Sequence, residues 1–97
     1  MTYEDYRNIY GGLVREERFN AFLNRAISEV DNYLTSEVTT AHYDAYVCTV
    51  GEIIDIIDTP DVAVDSGGSF RNYVQPRTID TIIRRRLGKT GLIYQGI

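Results

Sequence analysis

Ninety-seven residues, 43% apolar and 25% charged, describe one ordinary globular domain with a modest core, burying ~60–65% of the surface its unfolded chain exposes. That mixture excludes a disordered chain, and no run of about 18 apolar residues is present to span a membrane. The net charge of −4 hides a division: residues 1–65 hold thirteen acids against four bases, or −9, and residues 66–97 hold one acid, Asp80, against six bases, or +5. A chain with an acidic front and a basic back can attract its own copies head to tail, and such contacts close into rings when the rotation permits; the alternative is two sets of solvated surface charge. Met1 to Asp5 is acidic and lacks an apolar stretch, so no secretory leader is expected. The one cysteine, Cys48, cannot form an internal disulfide and suits a reducing cytoplasm.

Four helical stretches are predicted. The first runs from Thr2 to Tyr10. Thr2 caps it, Asp5 completes a weakened capping box, and Gly11 and Gly12 end it. Tyr3, Tyr6 and Tyr10 form one stripe, read either as core or as interface. Nine residues do not make a stable helix alone, so this one must pack on the rest. The second helix, about Glu16 to Leu34, repeats Phe19, Phe22, Leu23, Ala26, Ile27, Val30, Tyr33 and Leu34 at helical spacing, with Glu16 and Glu17 at the positive end of its dipole. The third, about Thr40 to Asp58, has the widest apolar face (Tyr43, Tyr46, Val47, Val50, Ile53, Ile54, Ile56, Ile57) and is expected to be central. Asp44, Glu52, Asp55 and Asp58 gather on its other side, as a solvated face or to meet arginines of a neighbouring copy.

Pro60, Gly67, Gly68 and Pro76 break the periodicity over residues 59–77. Asp61 to Asp65 and Phe70 to Val74 flank Ser66-Gly67-Gly68-Ser69, which reads as a flexible arm or a weak hairpin. The fourth helix runs from a Thr78 cap to Leu87, with Ile79, Ile82, Ile83 and Leu87 inward and Gly88 as the stop. Arg84, Arg85 and Arg86 occupy its last turn. They read as helix-end charge, as salt-bridge donors to a neighbour, or as phosphate contacts. The tail, residues 88–97, carries Leu92, Ile93, Tyr94 and Ile97 after the helix has ended. So apolar a tail must dock on its own core or on a partner.

Catalytic signals are sparse. Gly88-Lys89-Thr90 resembles the end of a phosphate loop, but the required earlier glycine is Ile83, inside a helix. One histidine, His42, and one cysteine, about 120° apart on the third helix, do not make a metal site. No Gly-x-Ser-x-Gly elbow is present. The expectation is a non-enzyme without cofactor or metal.

The opening Thr2-Tyr3-Glu4-Asp5-Tyr6-Arg7, the second helix around Glu17-Arg18-Phe19-Asn20-Ala21-Phe22-Leu23, and above all the closing Arg86-Leu87-Gly88-Lys89-Thr90-Gly91-Leu92-Ile93-Tyr94-Gln95-Gly96-Ile97 resemble the head–tail connector (head-completion, adaptor) proteins of tailed bacteriophages. The likeness spans nearly the whole chain. It implies a mainly α fold: a small four-helix bundle, a single domain over 1–97, with the long loop between helices 3 and 4 and an extended C-terminal tail. It implies a homo-oligomeric ring in the virion, usually twelve-fold, between the portal protein and a tail or head-closure protein. DNA would pass through its channel without sequence-specific binding, and the subunits would assemble in the host cytoplasm. On that reading Asp61, Val62, Val64, Phe70, Arg71, Tyr73, Val74, Leu92, Ile93, Tyr94 and Ile97 touch neighbours, and Arg84 and Arg85 face acids across the interface. The alternative function is a small helical DNA-binding regulator using the basic fourth helix.

Overall fold

A computed structural model describes residues 1–58, 62–64, 70–72 and 76–93. The fold is mainly helical. Helix α1 begins at Tyr3–Asp5 and continues as a π-helical segment, Tyr6–Tyr10; α2 spans Glu16–Asp31, α3 Tyr43–Asp58 after a 3-10 turn at Thr40–His42, and α4 Pro76–Leu87. Between α3 and α4 the strands β1 (Val62–Val64) and β2 (Phe70–Asn72) pair antiparallel, Ala63 opposite Arg71.

Local chemistry explains both ends of α1. The Thr2 side chain accepts from the Asp5 N–H, and the Asp5 carboxylate accepts from the Thr2 N–H, both at 3.1 Å. Gly11 takes φ 81°, the left-handed turn a glycine adopts without strain. The π-helical segment departs from the uniform helix expected here. Across it the Tyr6 and Tyr10 rings lie 5.9 Å apart between centroids. Tyr3 and Tyr6 both reach Phe19 of α2, at 5.3 and 5.2 Å between centroids. The tyrosine stripe is therefore mainly packing, with Tyr6 fully buried and Tyr3 and Tyr10 half-buried.

Helix α3 is the hub, as its wide apolar face predicts: α1, α2 and α4 all pack on it. Val47, Val50, Ile53, Ile54 and Ile57 are buried, joined by Phe19, Ala26 and Val30 of α2 and by Ile79, Ile82, Ile83 and Leu87 of α4. The buried Thr49 hydroxyl donates to the Ala45 carbonyl at 2.7 Å, the internal bond such a group needs. Gly51 lets α1 cross closely, since a Cβ there would sit 2.7 Å from the Tyr10 ring.

Three boundaries differ from expectation. Helix α2 stops at Asp31, and Leu34, half-buried against the core, forms an antiparallel bridge with Ile93. Helix α4 starts at Pro76 rather than Thr78; proline suits a first helical position, where the missing N–H costs nothing. Gly88-Lys89-Thr90 is a helix-end turn, the Gly88 N–H reaching the Arg84 carbonyl and the Thr90 N–H the Leu87 carbonyl, so no phosphate cradle forms there.

Candidate assembly surface

Two of the four tail residues assigned to neighbours lie in the chain's own core. Leu92 and Ile93 are 3% and 4% exposed, inside the core rather than offered to a neighbour. The Thr35 N–H and hydroxyl both donate to the Leu92 carbonyl, at 2.8 and 3.3 Å, closing a clasp between the α2 exit and the tail. Arg84 and Arg85 likewise find their acids within the chain. Arg84 pairs with Asp80 one turn back at 3.0 Å, and Arg85 grips both oxygens of Glu52 at 2.5 and 2.6 Å. Arg86 joins Arg85 on Glu52 and lies over the Tyr10 ring. The acids of α3 are thus partly consumed at home: Glu52 by α4, Asp58 by Arg18 of α2, and Asp55 by the hydroxyl of Tyr6. Asp61, Tyr73, Val74, Tyr94 and Ile97 lie outside the described residues, as do the side chains of Val62, Val64, Phe70 and Arg71. Of the arm before Pro76, the backbone is described at 62–64 and 70–72. The described strands pair with each other, Val62 opposite Asn72 and Val64 opposite Phe70.

The tyrosines form hydroxyl-to-carboxylate ties between elements. Tyr6 donates to Asp55, Tyr33 to Asp80 at 2.8 Å and Tyr43 to Asp5 at 2.7 Å, while Tyr46 approaches Asp31 at 3.5 Å. Each tie disfavours the phenolate. Burial, then Asp55, raises Tyr6 far above the ordinary tyrosine value. Burial and Asp55 push Tyr10 up to about 12, and burial and Asp31 push Tyr46 up to about 12. Tyr33 is raised by burial and then Asp80, and Tyr43 by its bond to Asp5. A phenol held neutral in the fold adds stability that is whole below the unfolded value near 10 and is lost as pH rises through the folded one. An ultraviolet titration is therefore expected to show these five tyrosines ionising late, together with unfolding, above about pH 10. Five normal curves near that value are the contrary result.

The carboxylates titrate in the opposite sense. The Tyr43 hydroxyl first, then the capping bonds, hold Asp5 below its ordinary 3.8; Tyr33 and then Arg84 do the same for Asp80. Burial works to raise Glu52, but Arg85 and Arg86 together outweigh it and leave it below 4.5. Depressed carboxylates stabilise above their unfolded values and lose that contribution as pH falls through the folded ones. The melting temperature should accordingly be insensitive to these groups at neutral pH and drop below about pH 4.5. Glu52→Gln should blunt that acid drop.

Sequence reasoning missed one surface feature. Leu13 is 85% exposed, the one exposed large apolar side chain among the described residues. It stands at the edge of an open hollow of about 430 Å³ whose walls include Tyr10, Val14, Asp55 and Asp58. The available signal was its position, an apolar residue directly after a glycine pair and outside both helical stripes. A second hollow, about 500 Å³, opens between Ile9, Ala45 and Cys48, with Asp44, Arg85 and Arg86 at its rim. His42 is half-buried in the 3-10 turn, not on α3 with Cys48 as expected. Among the described residues no group of three or more His, Cys, Asp or Glu is placed to hold a metal, and no helix is long and apolar enough to cross a membrane. Comparison with protein families, with curated proteins and with solved structures finds no match for this chain.

Proposed function

We propose that this chain is a structural, non-enzymatic assembly protein: a ring-forming head–tail connector subunit of a tailed bacteriophage, seated between portal and tail around the DNA channel. The family is suggested by the sequence, above all by the closing segment from Arg86 to Ile97. The observation that carries the assembly role is the arm. Its two described strands are three residues each and pair with one another, and a two-stranded hairpin is marginal alone in water. The apolar residues of its sequence, Val62, Val64, Phe70, Tyr73 and Val74, suit contact with another polypeptide. With Leu92 and Ile93 turned inward, the arm and the remaining tail residues, Tyr94 and Ile97, are the segments assigned to neighbours.

The DNA-binding alternative loses support. Each of Arg84, Arg85 and Arg86 shares a carboxylate of its own chain, which reduces the charge available to phosphates. Mass measurement of the purified chain, alone and mixed with portal rings, tests the proposal. A stacked complex holding a ring of subunits is the expected product. A chain that ignores the portal but shifts DNA in a salt-sensitive manner would replace this reading with the alternative.

A further inference from the structure

The seat that holds the tail is fastened by bonds in which the tail takes no part. At the exit of α2 the Tyr33 and Leu34 N–H groups donate to the Val30 and Asp31 carbonyls at 2.9 and 3.2 Å. The Tyr33 hydroxyl reaches Asp80 of α4, and Arg84, paired with the same carboxylate, lies over the Tyr33 ring, 5.8 Å from its centroid. The tail holds on by the burial of Leu92 and Ile93, by the bridge of Leu34 to Ile93 and by the two Thr35 bonds to the Leu92 carbonyl. One further bond ties it to the preceding turn, from the Leu92 N–H to the Thr90 hydroxyl at 3.1 Å. Between them Gly91 takes φ 80° with open space around it, a pivot that suits glycine. Lifting the tail at Gly91 therefore breaks no helix hydrogen bond.

We propose that this clasp is an exchangeable strap, docked at home in the free chain and, in the ring, seated in the neighbouring copy, whose own tail passes to the next. This inference rests on the ring-subunit reading and names a contact through which the ring would close. Every copy carries the same tail and the same seat. Each contact broken at home is remade with the same residues of a neighbour, and Leu92 and Ile93 stay buried in either state. Proximity then sets the balance. A short connection keeps the tail near its own seat at an effective concentration of order millimolar, which favours the closed chain in dilute solution. A ring brings the neighbour's seat comparably near. Chain length bounds the partner: from Leu87, the end of α4, to Leu92 a fully extended backbone spans about 17–18 Å, so the receiving seat lies within that reach. One tail entering the next seat is a heterologous contact, the kind that closes a ring.

The bridge makes the exchange testable in the full chain. Leu34 and Ile93 stand opposite each other beside the Thr35–Leu92 bond, as a non-hydrogen-bonded antiparallel pair. Such pairs set their Cα atoms about 4.5 Å apart, within disulfide range. In an L34C/I93C/C48S chain, oxidation of the dilute protein should link each chain to itself. Oxidation on portal rings, or of the concentrated chain, should give a covalent ladder that grows past two copies. Links confined to single chains in both of those preparations would overturn the exchange. A second measurement needs no disulfide. I93D has a faulty tail and L34D a faulty seat; refolded together they should form a one-to-one complex that melts above either chain alone, the sound tail of one filling the sound seat of the other. A mixture that melts as its separate parts would equally overturn the exchange. Rings on the portal with links only inside single chains would keep the connector reading and remove the strap. A ladder from a chain that ignores the portal would support the strap and remove the connector reading.

Discussion

Removing residues 92–97 is expected to cost the chain a large share of its stability and, with it, helix content at elevated temperature. A tail that only touched neighbours would give the opposite result, helices spared and assembly alone blocked. Burial decides between them. Leu92 and Ile93 are almost wholly enclosed, and a buried aliphatic side chain contributes about 1.5–3 kcal/mol. Together they supply roughly 3–6 kcal/mol, against a total of about 5–15 kcal/mol for a typical domain. The truncation also strips the acceptor from both Thr35 donors. Thermal melts followed by circular dichroism of the truncated and complete chains test this, with Ile93→Asp in the full-length chain as companion. Cutting after Ile93 instead should recover the stability that Leu92, Ile93 and the Thr35 clasp supply. Equal melts for all forms would mean that the tail is no part of the core.

Gly12→Ala should be severe for so small a change, about 3 kcal/mol or more, at the upper end of overpacking costs. The new methyl would strike the Tyr6 ring, and that ring has nowhere to retreat. It is fully buried against Phe19, and its hydroxyl is held by both Val14 and Asp55. Gly11→Ala is the informative contrast. Space is open there, and the expected cost is the roughly 1–2 kcal/mol of forcing an L-residue into the left-handed region. Two adjacent glycines are thus retained for different reasons, one for its dihedral and one for its missing side chain. Urea denaturation of both variants, repeated in a Tyr6→Leu background, separates these causes. The smaller side chain should relieve part of the Gly12→Ala penalty and none of the Gly11→Ala penalty. Equal penalties for the two alanines would refute the assignment.

The helical class, the central place of α3, the Thr2–Asp5 capping box and the Gly11 stop were all legible in the amino-acid order. Each depends on residues within a few positions of one another, where spacing and side-chain type govern the backbone directly. Other features were decided only by the tertiary structure. Thr35 and Leu92 are 57 positions apart, Arg85 and Glu52 33 apart, and Tyr6 and Asp55 49 apart. No local pattern tells a tail that docks at home from one that docks abroad, or an arginine paired within the chain from one paired across an interface. The same side chains serve either purpose, and the choice follows from which distant surfaces the packed helices bring into reach. The exposure of Leu13 arises in the same way: Tyr6 and Tyr3 fasten the loop on either side of it and leave that one side chain facing out.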